Sequence, residues 1–171
     1  MSDGHDSIAG YLTADHEQLG ELLRRARSGP SLDQDAYADF RRRLLRHIAI
    51  EEKILLPSAA RIRGERLAIA ARLRADHGAL AALLVPSPTH AIIDAIHTIL
   101  AAHNAIEESP DGVYAECERL AGAEAVALLA KLRAAPEVPV SPHNDGPLVM
   151  PAARRALTRA GYDPRLLGIG G

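Results

Sequence analysis

Apolar residues recur at steps of three or four along four stretches of the chain, and prolines separate these stretches. That spacing places the apolar side chains on one face of an α-helix. In the first stretch the stripe contains Leu12, His16 and Leu19. The pattern and the prolines predict four helices and a further helical stretch, at Asp6–Ser28, Asp33 to about Pro57, Gly64–Leu84, Thr89–Glu108 and Val113–Ala135.

The C-terminal part of the chain has a different composition, since six of the 11 prolines lie in residues 136–171. We expect residues 136–151 to be extended and irregular. One short helix should follow, with Pro151 at its first position and Gly161 just past its end. We therefore divide the chain into a helical domain, residues 1–135, and a Pro/Gly-rich extension, residues 136–171.

An internal repeat relates the first two predicted helices to the next two. Ala14–Leu19 on the first helix matches Ala75–Leu80 on the third, and His47–Glu52 on the second matches His103–Glu108 on the fourth. The His and Glu positions carry both matches, so the repeat indicates a duplicated helical hairpin. Two hairpins with short connections predict an all-α fold, an up-down-up-down four-helix bundle, with the additional helical stretch and the Pro-rich tail after it.

Each of the four apolar stripes carries one histidine, and two stripes carry a glutamate one turn later. These residues are His16, His47, Glu51, His77, His103 and Glu107. Residues four apart share a helix face, so all six side chains should point into the bundle, where unpaired polar groups are costly. A pair of cations would neutralise both carboxylates and bind the imidazole lone pairs, and such ligands suit iron, manganese or zinc. The sequence therefore predicts a two-metal site, with the glutamates placed to bridge the ions.

Other polar residues lie near this layer. Glu52 and Glu108 are about 100° round their helices from the preceding glutamates, so we expect them in solvent. Asp15 and Asp76 fit either a hydrogen bond to the free N–H of a ligand or a surface position. His97 is a reserve ligand, because its axial level suits the third helix although it lies off its own stripe.

Three tyrosines are also close to the layer in sequence, namely Tyr11, Tyr37 and Tyr114. They are candidates for hydrogen bonds to the ligands, but we expect them to pack in the core instead. The single cysteine, Cys117, lies between Glu116 and Glu118, and anionic neighbours disfavour a reactive thiolate. We therefore interpret Cys117 as a structural residue.

The charge balance narrows the function classes. Twenty Lys and Arg against 22 Asp and Glu give a net charge of −2, which argues against a protein that follows nucleic-acid phosphates. No apolar run approaches the roughly 20 residues that span a bilayer. Met1–Gly10 lacks the basic start and apolar stretch of a signal peptide. We expect a cytoplasmic protein with no nucleic-acid or membrane partner.

The ordered pattern His…HxxxE…His…HxxxE resembles the hemerythrin-like (HHE cation-binding) family, over Ile8–Glu108. The resemblance implies two non-haem iron ions, with the four histidines as terminal ligands and Glu51 and Glu107 bridging them. The chain departs from the oxygen-carrying hemerythrins at one position, because Ala81 stands where they have a second histidine on the third helix. Fewer protein ligands leave more open coordination, which favours redox chemistry with small molecules or looser metal binding.

The resemblance also implies a function. It is that of a di-iron protein that binds or reacts with a small oxidant such as dioxygen, peroxide or nitric oxide. The alternative is a sensor or iron-holding module without turnover, in which residues 136–171 would move. A third interpretation is a metal-free structural bundle that keeps an ancestral repeat. No acid–base residue separate from the metal ligands is evident, so the sequence does not decide between turnover and binding.

Overall fold

The structure is a computed structural model that describes residues 6–170. Within that range the chain forms helices and no strand, which confirms the all-α prediction. The helices are α1 (Ile8–Arg27), α2 (Gln34–Ile50), α3 (Leu56–Arg63), α4 (Ala70–Leu83), α5 (His90–Glu108), α6 (Val113–Ala121), α7 (Ala125–Arg133) and α8 (Val149–Arg159). In this described part of the chain, no helix is long and apolar enough to cross a membrane.

Side-chain caps define where three of the long helices begin. Ser7 accepts a hydrogen bond from a backbone N–H in the first turn of α1, Asp33 does so for α2, and Thr89 does so for α5. Each cap satisfies a donor that has no partner within its helix. The three helices therefore begin within two residues of their predicted starts. Helix α4 has no such cap and begins at Ala70 rather than directly after Gly64.

Helix α2 continues into α3 through a π-helical turn at Glu51–Leu55. The backbone N–H of Leu56 donates to the carbonyl of Glu51, five residues back. Pro57 follows at once and has no N–H to continue the ordinary ladder of hydrogen bonds. The proline thus alters the hydrogen bonding without ending the helix, which ends at Gly64 in the left-handed conformation (φ 85°).

Two clusters of buried apolar residues lie along α1, one on each side of its histidine. Ile8 and Leu12 belong to the first cluster, with residues of α3, α6 and α7. Leu19 and Leu23 belong to the second, with residues of α2, α4, α5 and α8. His16 lies between the two, so the polar layer predicted from the sequence is enclosed by hydrophobic packing at both ends.

Helix α6 turns back over the end of α5 at Gly112. A Cβ atom at this position would lie 2.6 Å from the carbonyl oxygen of Glu107 and 2.7 Å from that of Ile106, so a larger residue does not fit. Helix α6 contacts α1, α3 and α5. The close turn at Gly112 therefore brings the first residues of α6 against the interior.

Residues 135–146 contain no helix and are largely exposed, and hydrogen bonds join them to the helical part of the chain. The guanidinium of Arg41 donates to the carbonyl of Ser141 at 2.8 Å. The backbone N–H of Asn144 donates to the carbonyl of Val85 at 2.9 Å. These bonds hold the segment on α2 and on the loop after α4.

Helix α8 packs against α4. It begins at Val149, so the predicted start at Pro151 is wrong by two residues. Its buried side chains Ala153 and Leu157 belong to the same apolar cluster as residues of α4 and α5. Gly161 follows the helix in the left-handed conformation (φ 87°), which only glycine adopts without strain.

Candidate metal centre

All six side chains predicted as ligands are buried in one polar layer, with relative exposures of 1–5%. Their ligand atoms form two groups, and within each group these atoms lie within 4.8 Å of one another. One group is His16, His47, Glu51 and Glu107, and the other is Glu51, His77, His103 and Glu107. Each hairpin thus supplies one pair of histidines, and both groups share the two glutamates.

The Nε2 atoms of each pair face each other at short distance. The first histidine pair, His16 and His47, comes from α1 and α2, and its Nε2 atoms lie 2.9 Å apart. The second histidine pair, His77 and His103, comes from α4 and α5, with a distance of 3.1 Å. In both pairs the ring nitrogens on the inner side therefore converge on a shared point.

Each histidine donates a hydrogen bond from Nδ1 to a carboxylate on another helix. The bonds run from His16 to Glu108 at 2.5 Å, from His47 to Asp15 at 2.7 Å, from His77 to Glu52 at 2.8 Å, and from His103 to Asp76 at 3.3 Å. In a neutral imidazole such a bond fixes the tautomer, so that Nε2 carries a lone pair. Two lone pairs at about 3 Å repel each other unless a proton or a cation lies between them.

The prediction of a solvent position is confirmed for Glu108, which is exposed, and is wrong for Glu52, which is partly buried. Both carboxylates bind a histidine on a neighbouring helix, and the Glu52 side chain is only 19% exposed. A glutamate side chain is long enough to reach across to the next helix even when its Cα lies off the inner face. For Asp15 and Asp76 the structure selects the hydrogen bond to a ligand over the surface position.

Glu51 and Glu107 each place one oxygen against either histidine pair. Glu51 Oε1 lies 3.3 Å from His47 Nε2, and Glu51 Oε2 lies 3.1 Å from His77 Nε2. Glu107 Oε2 lies 3.5 Å from His16 Nε2, and Glu107 Oε1 lies 3.2 Å from His103 Nε2. Among the described residues, Glu51 Oε2 and Glu107 Oε1 have no hydrogen-bond partner. A buried carboxylate oxygen without a partner is costly, and a bound cation would remove that cost.

Burial controls the ionisation of the layer. Burial, reinforced by the neighbouring His47, lowers the pKa of His16 to about 3. Burial would also lower the pKa of His103, but its carboxylate partners outweigh that effect and raise the pKa to about 9. Burial and the charge of Glu51 raise the pKa of Glu107. Without a bound cation, His16 is therefore neutral at pH 7, whereas His103 is protonated.

Tyr114 was predicted to pack in the core, and its ring is indeed buried at the start of α6. Its hydroxyl, however, lies inside the polar layer, where it donates to Glu51 Oε1 at 2.6 Å. A tyrosine needs a partner for its hydroxyl when it is buried, and this was the signal available in the sequence. Nothing in the periodicity of Val113–Ala135 distinguished this position from a packing one.

The other candidates lie elsewhere. His97 is exposed on α5 and is not among the residues whose ligand atoms converge. Tyr37 is buried beside Phe40, with ring centroids 6.1 Å apart, as the packing interpretation predicted. Tyr11 is partly buried, and its hydroxyl accepts a hydrogen bond of 3.4 Å from Arg46. These side chains do not enter the polar layer.

Comparison with protein-family models, with curated proteins and with solved structures finds no match to this chain. The class of protein is therefore defined by its own residues: an all-helical protein with buried His/Glu groups that could hold metal ions. Imidazole and carboxylate ligands in this arrangement suit iron, manganese or zinc. The unpaired oxygens and converging Nε2 atoms fit that interpretation better than a network of hydrogen bonds alone.

Proposed function

We propose that the protein binds two metal ions through His16, His47, Glu51, His77, His103 and Glu107. Each ion would take one histidine pair and one oxygen from each glutamate. The observation that carries the proposal is the convergence of the paired Nε2 atoms on shared carboxylates, with the outer Nδ1 atoms already hydrogen-bonded to carboxylate partners. Two cations supply the positive charge that this layer needs.

We propose further that the ions are iron and that the protein is hemerythrin-like. The ordered pattern of ligands along the sequence supports this assignment, and so does the origin of each histidine pair in one hairpin. In this proposal α1, α2, α4 and α5 form the up-down-up-down bundle, while α6 and α7 close one end. Manganese or zinc would be held by the same residues.

The proposed activity is binding or reduction of a small oxidant such as dioxygen, peroxide or nitric oxide. When bound, a pair of iron ions supplies one-electron chemistry and open coordination positions. The chain contributes a buried site that limits water, four oriented imidazoles and two shared carboxylates. The outer carboxylates keep the imidazoles in position, which preserves the geometry as the charge of the ions changes.

The first test is the metal content of the freshly purified protein, measured by elemental mass spectrometry. We expect about two irons per chain, as in carboxylate-bridged bundles. His77→Ala should lower the content by about one ion, whereas His97→Ala, a matched change at an exposed histidine, should leave it unchanged. A protein that binds no metal even after anaerobic loading with ferrous iron would overturn the proposal.

Peroxide consumption and nitric oxide binding by the loaded protein test the second part. We expect both to depend on the six ligands and to be lost in His77→Ala but kept in His97→Ala. A loaded protein that binds two irons yet shows no reaction with dioxygen, peroxide or nitric oxide would overturn the oxidant proposal and leave the metal site.

One contact favours the alternative of a sensor. The C-terminal Tyr162 hydroxyl lies 3.3 Å from Arg72, which donates to Asp76, the carboxylate that holds His103. A change at the ions would reach the C-terminal segment through these bonds. Limited proteolysis with and without iron tests this function, because a sensor should change its cleavage pattern after residue 135 and a simple catalyst should not.

A further inference from the structure

The Tyr114 hydroxyl lies among the ligand atoms of the first histidine pair. It is 2.6 Å from Glu51 Oε1, 3.0 Å from Glu107 Oε2, 3.0 Å from His16 Nε2 and 3.4 Å from His47 Nε2. These four atoms are the ones that group around the first pair. The side chain is 1% exposed, so its contacts are with the protein interior.

A phenol cannot satisfy all four neighbours as a hydrogen-bond donor, because it has one proton. Glu51 and Glu107 present carboxylate oxygens to it. His16 and His47 present Nε2 atoms to it, and their Nδ1 atoms are hydrogen-bonded to carboxylates. Four atoms that can accept a hydrogen bond therefore surround one phenol proton, so the other three contacts need a further proton or a cation close by.

The distances themselves match those between ligands of one ion. Two ligands on a shared edge of an octahedral site, with metal–ligand distances of about 2.1 Å, lie about 3 Å apart. The phenol oxygen of Tyr114 lies 2.6–3.4 Å from all four of these ligand atoms. In the same way, one vertex of an octahedron lies next to four others. We propose that the Tyr114 phenolate oxygen is a fifth protein ligand of the ion held by His16 and His47.

The second histidine pair has no such residue. Within residues 6–170 no hydrogen bond joins another tyrosine hydroxyl to a predicted ligand: Tyr11 contacts Arg46, Tyr162 contacts Arg72, and Tyr37 has no hydrogen-bond partner there. The phenol contacts the Glu51 and Glu107 oxygens that face the first pair. The oxygens that face the second pair lie beside His77 and His103 and have no hydrogen-bond partner among the described residues. The ligation is therefore asymmetric, with five protein ligands for one ion and four for the other.

The difference between the two proposed ion sites comes from α6, a helix outside the internal repeat. Tyr114 is two residues after Gly112, whose close contact with the end of α5 directs α6 over the first pair. Binding of the ion would displace the phenol proton to solvent water, and the phenolate would take the coordination position. With six positions per ion, one would remain open beside the first pair and two beside the second, so a small oxidant would bind mainly at the second.

This inference rests on the proposed function, and its test separates the two. The full chain is loaded anaerobically with ferrous iron and then oxidised in air, and its visible absorption and resonance Raman spectra are recorded beside its iron content. A phenolate bound to ferric iron gives a charge-transfer band in the visible region and enhanced ring vibrations. We expect this band in the wild type at two irons per chain, and growth with ring-deuterated tyrosine should shift the vibrations.

Tyr114→Phe removes only the hydroxyl and should abolish the band, with at least a tenfold loss of visible charge-transfer absorbance. The matched control is Tyr37→Phe, which removes another buried hydroxyl far from the layer and should leave the spectrum unchanged. Far-UV circular dichroism establishes that each variant is folded. If Tyr114→Phe does not fold, the isotope shift in the wild type still shows whether a tyrosine binds the iron, and Tyr114 is the tyrosine whose hydroxyl lies beside the ligands within the described residues.

The outcomes are distinct. A wild type that binds two irons with no phenolate signal, or a Tyr114→Phe protein that keeps the signal, would overturn the role of Tyr114 and leave the proposed metal site. A wild type that binds no iron would overturn both proposals. Loss of the signal in Tyr114→Phe, with iron still bound and the signal intact in Tyr37→Phe, establishes Tyr114 as the ligand.

Discussion

The two histidine pairs have the same arrangement of ring nitrogens and carboxylate partners but different surroundings. In both pairs Nε2 atoms face each other at about 3 Å and Nδ1 atoms donate to carboxylates. The first pair also has the Tyr114 hydroxyl within 3.4 Å of both rings, and the second pair has no equivalent among the described residues. The repeated hairpins therefore supply equivalent ligands, whereas α6, which lies outside the repeat, makes the two pairs differ.

The carboxylates follow the duplication as well. Asp15 and Asp76 each hold the histidine of their own hairpin, on the next helix. Glu52 and Glu108 each hold a histidine of the other hairpin. The aspartates thus fix the geometry within a hairpin, and the glutamates connect the two hairpins. Every helix that supplies a histidine is linked to its neighbours through the layer.

The largest expected effect is the loss of both ions when a shared carboxylate is removed. Glu51→Ala takes away one oxygen from each group, and the remaining charge does not balance two cations. We expect the metal content to fall from about two ions per chain to near zero. Elemental analysis of the variant beside Glu17→Gln, a change at an exposed glutamate, measures it. Retention of two ions in Glu51→Ala would show that the glutamates are not shared.

The next expected effect distinguishes the pairs directly. His77→Ala leaves three protein ligands for its ion, while His16→Ala leaves four if Tyr114 binds, so His77→Ala should lose its ion more completely. We expect about one ion per chain in His77→Ala, with the phenolate absorption kept. In His16→Ala the absorption should shift, because the ion beside Tyr114 has lost a ligand. Equal ion loss and identical spectra in the two variants would remove the difference between the pairs.

A smaller effect is expected from the outer carboxylates. Burial alone would raise the pKa of Asp15, but the hydrogen bond from His47 and the charge of Arg43 outweigh it, so the pKa lies below its usual value. Burial would likewise raise the pKa of Asp76, but its hydrogen bonds with His103 and Arg72 outweigh burial and lower the pKa. Both are therefore charged at neutral pH and strengthen the imidazoles as ligands.

Asp15→Asn and Asp76→Asn should each weaken metal binding by about 10- to 100-fold at the pair they support. Competition with a chelator measures the affinity of each step. Asp39→Asn, at an exposed position of α2, is the control. If Asp15→Asn weakened both steps equally, the two pairs would be coupled more strongly than their separate hydrogen bonds indicate.

The smallest expected effect is on the reactivity of Cys117 in α6, the helix that covers the first histidine pair. Cys117 is on α6 one turn after Tyr114 and is 1% exposed. Burial, with the nearby carboxylates of Glu51 and Glu116, raises its pKa to about 12. The thiolate fraction at pH 8 is therefore small in the folded protein and rises only as the pH approaches that value.

Alkylation by iodoacetamide at pH 8 should be at least about 100-fold slower in the folded protein than in denaturant. The neutral thiol also contributes stability that is present below the unfolded pKa near 9 and is lost as the pH rises towards 12. Fast alkylation of the folded, metal-loaded protein would mean that α6 does not stay closed over the first pair. Since Cys117 is the single cysteine, the measurement reports this helix alone.

The sequence determined the helices and the residues that could be ligands. Apolar steps of three and four defined the inner face of each long helix, and a histidine on such a face has to be buried. The spacing of four between His47 and Glu51, and between His103 and Glu107, determined that each pair shares a face. These inferences need only the geometry of one helix, which is why they could be made without the fold.

Tertiary structure alone decided the contacts between helices. Glu52 and Glu108 lie off the inner face of their own helices, yet reach histidines on others, because a glutamate side chain is long enough to span to the neighbouring helix. The position of Tyr114 depends on the tight turn at Gly112, which no periodicity encodes. Packing between elements distant in sequence therefore determined which carboxylates bind the imidazoles. It also placed Tyr114, the residue that makes the two histidine pairs different.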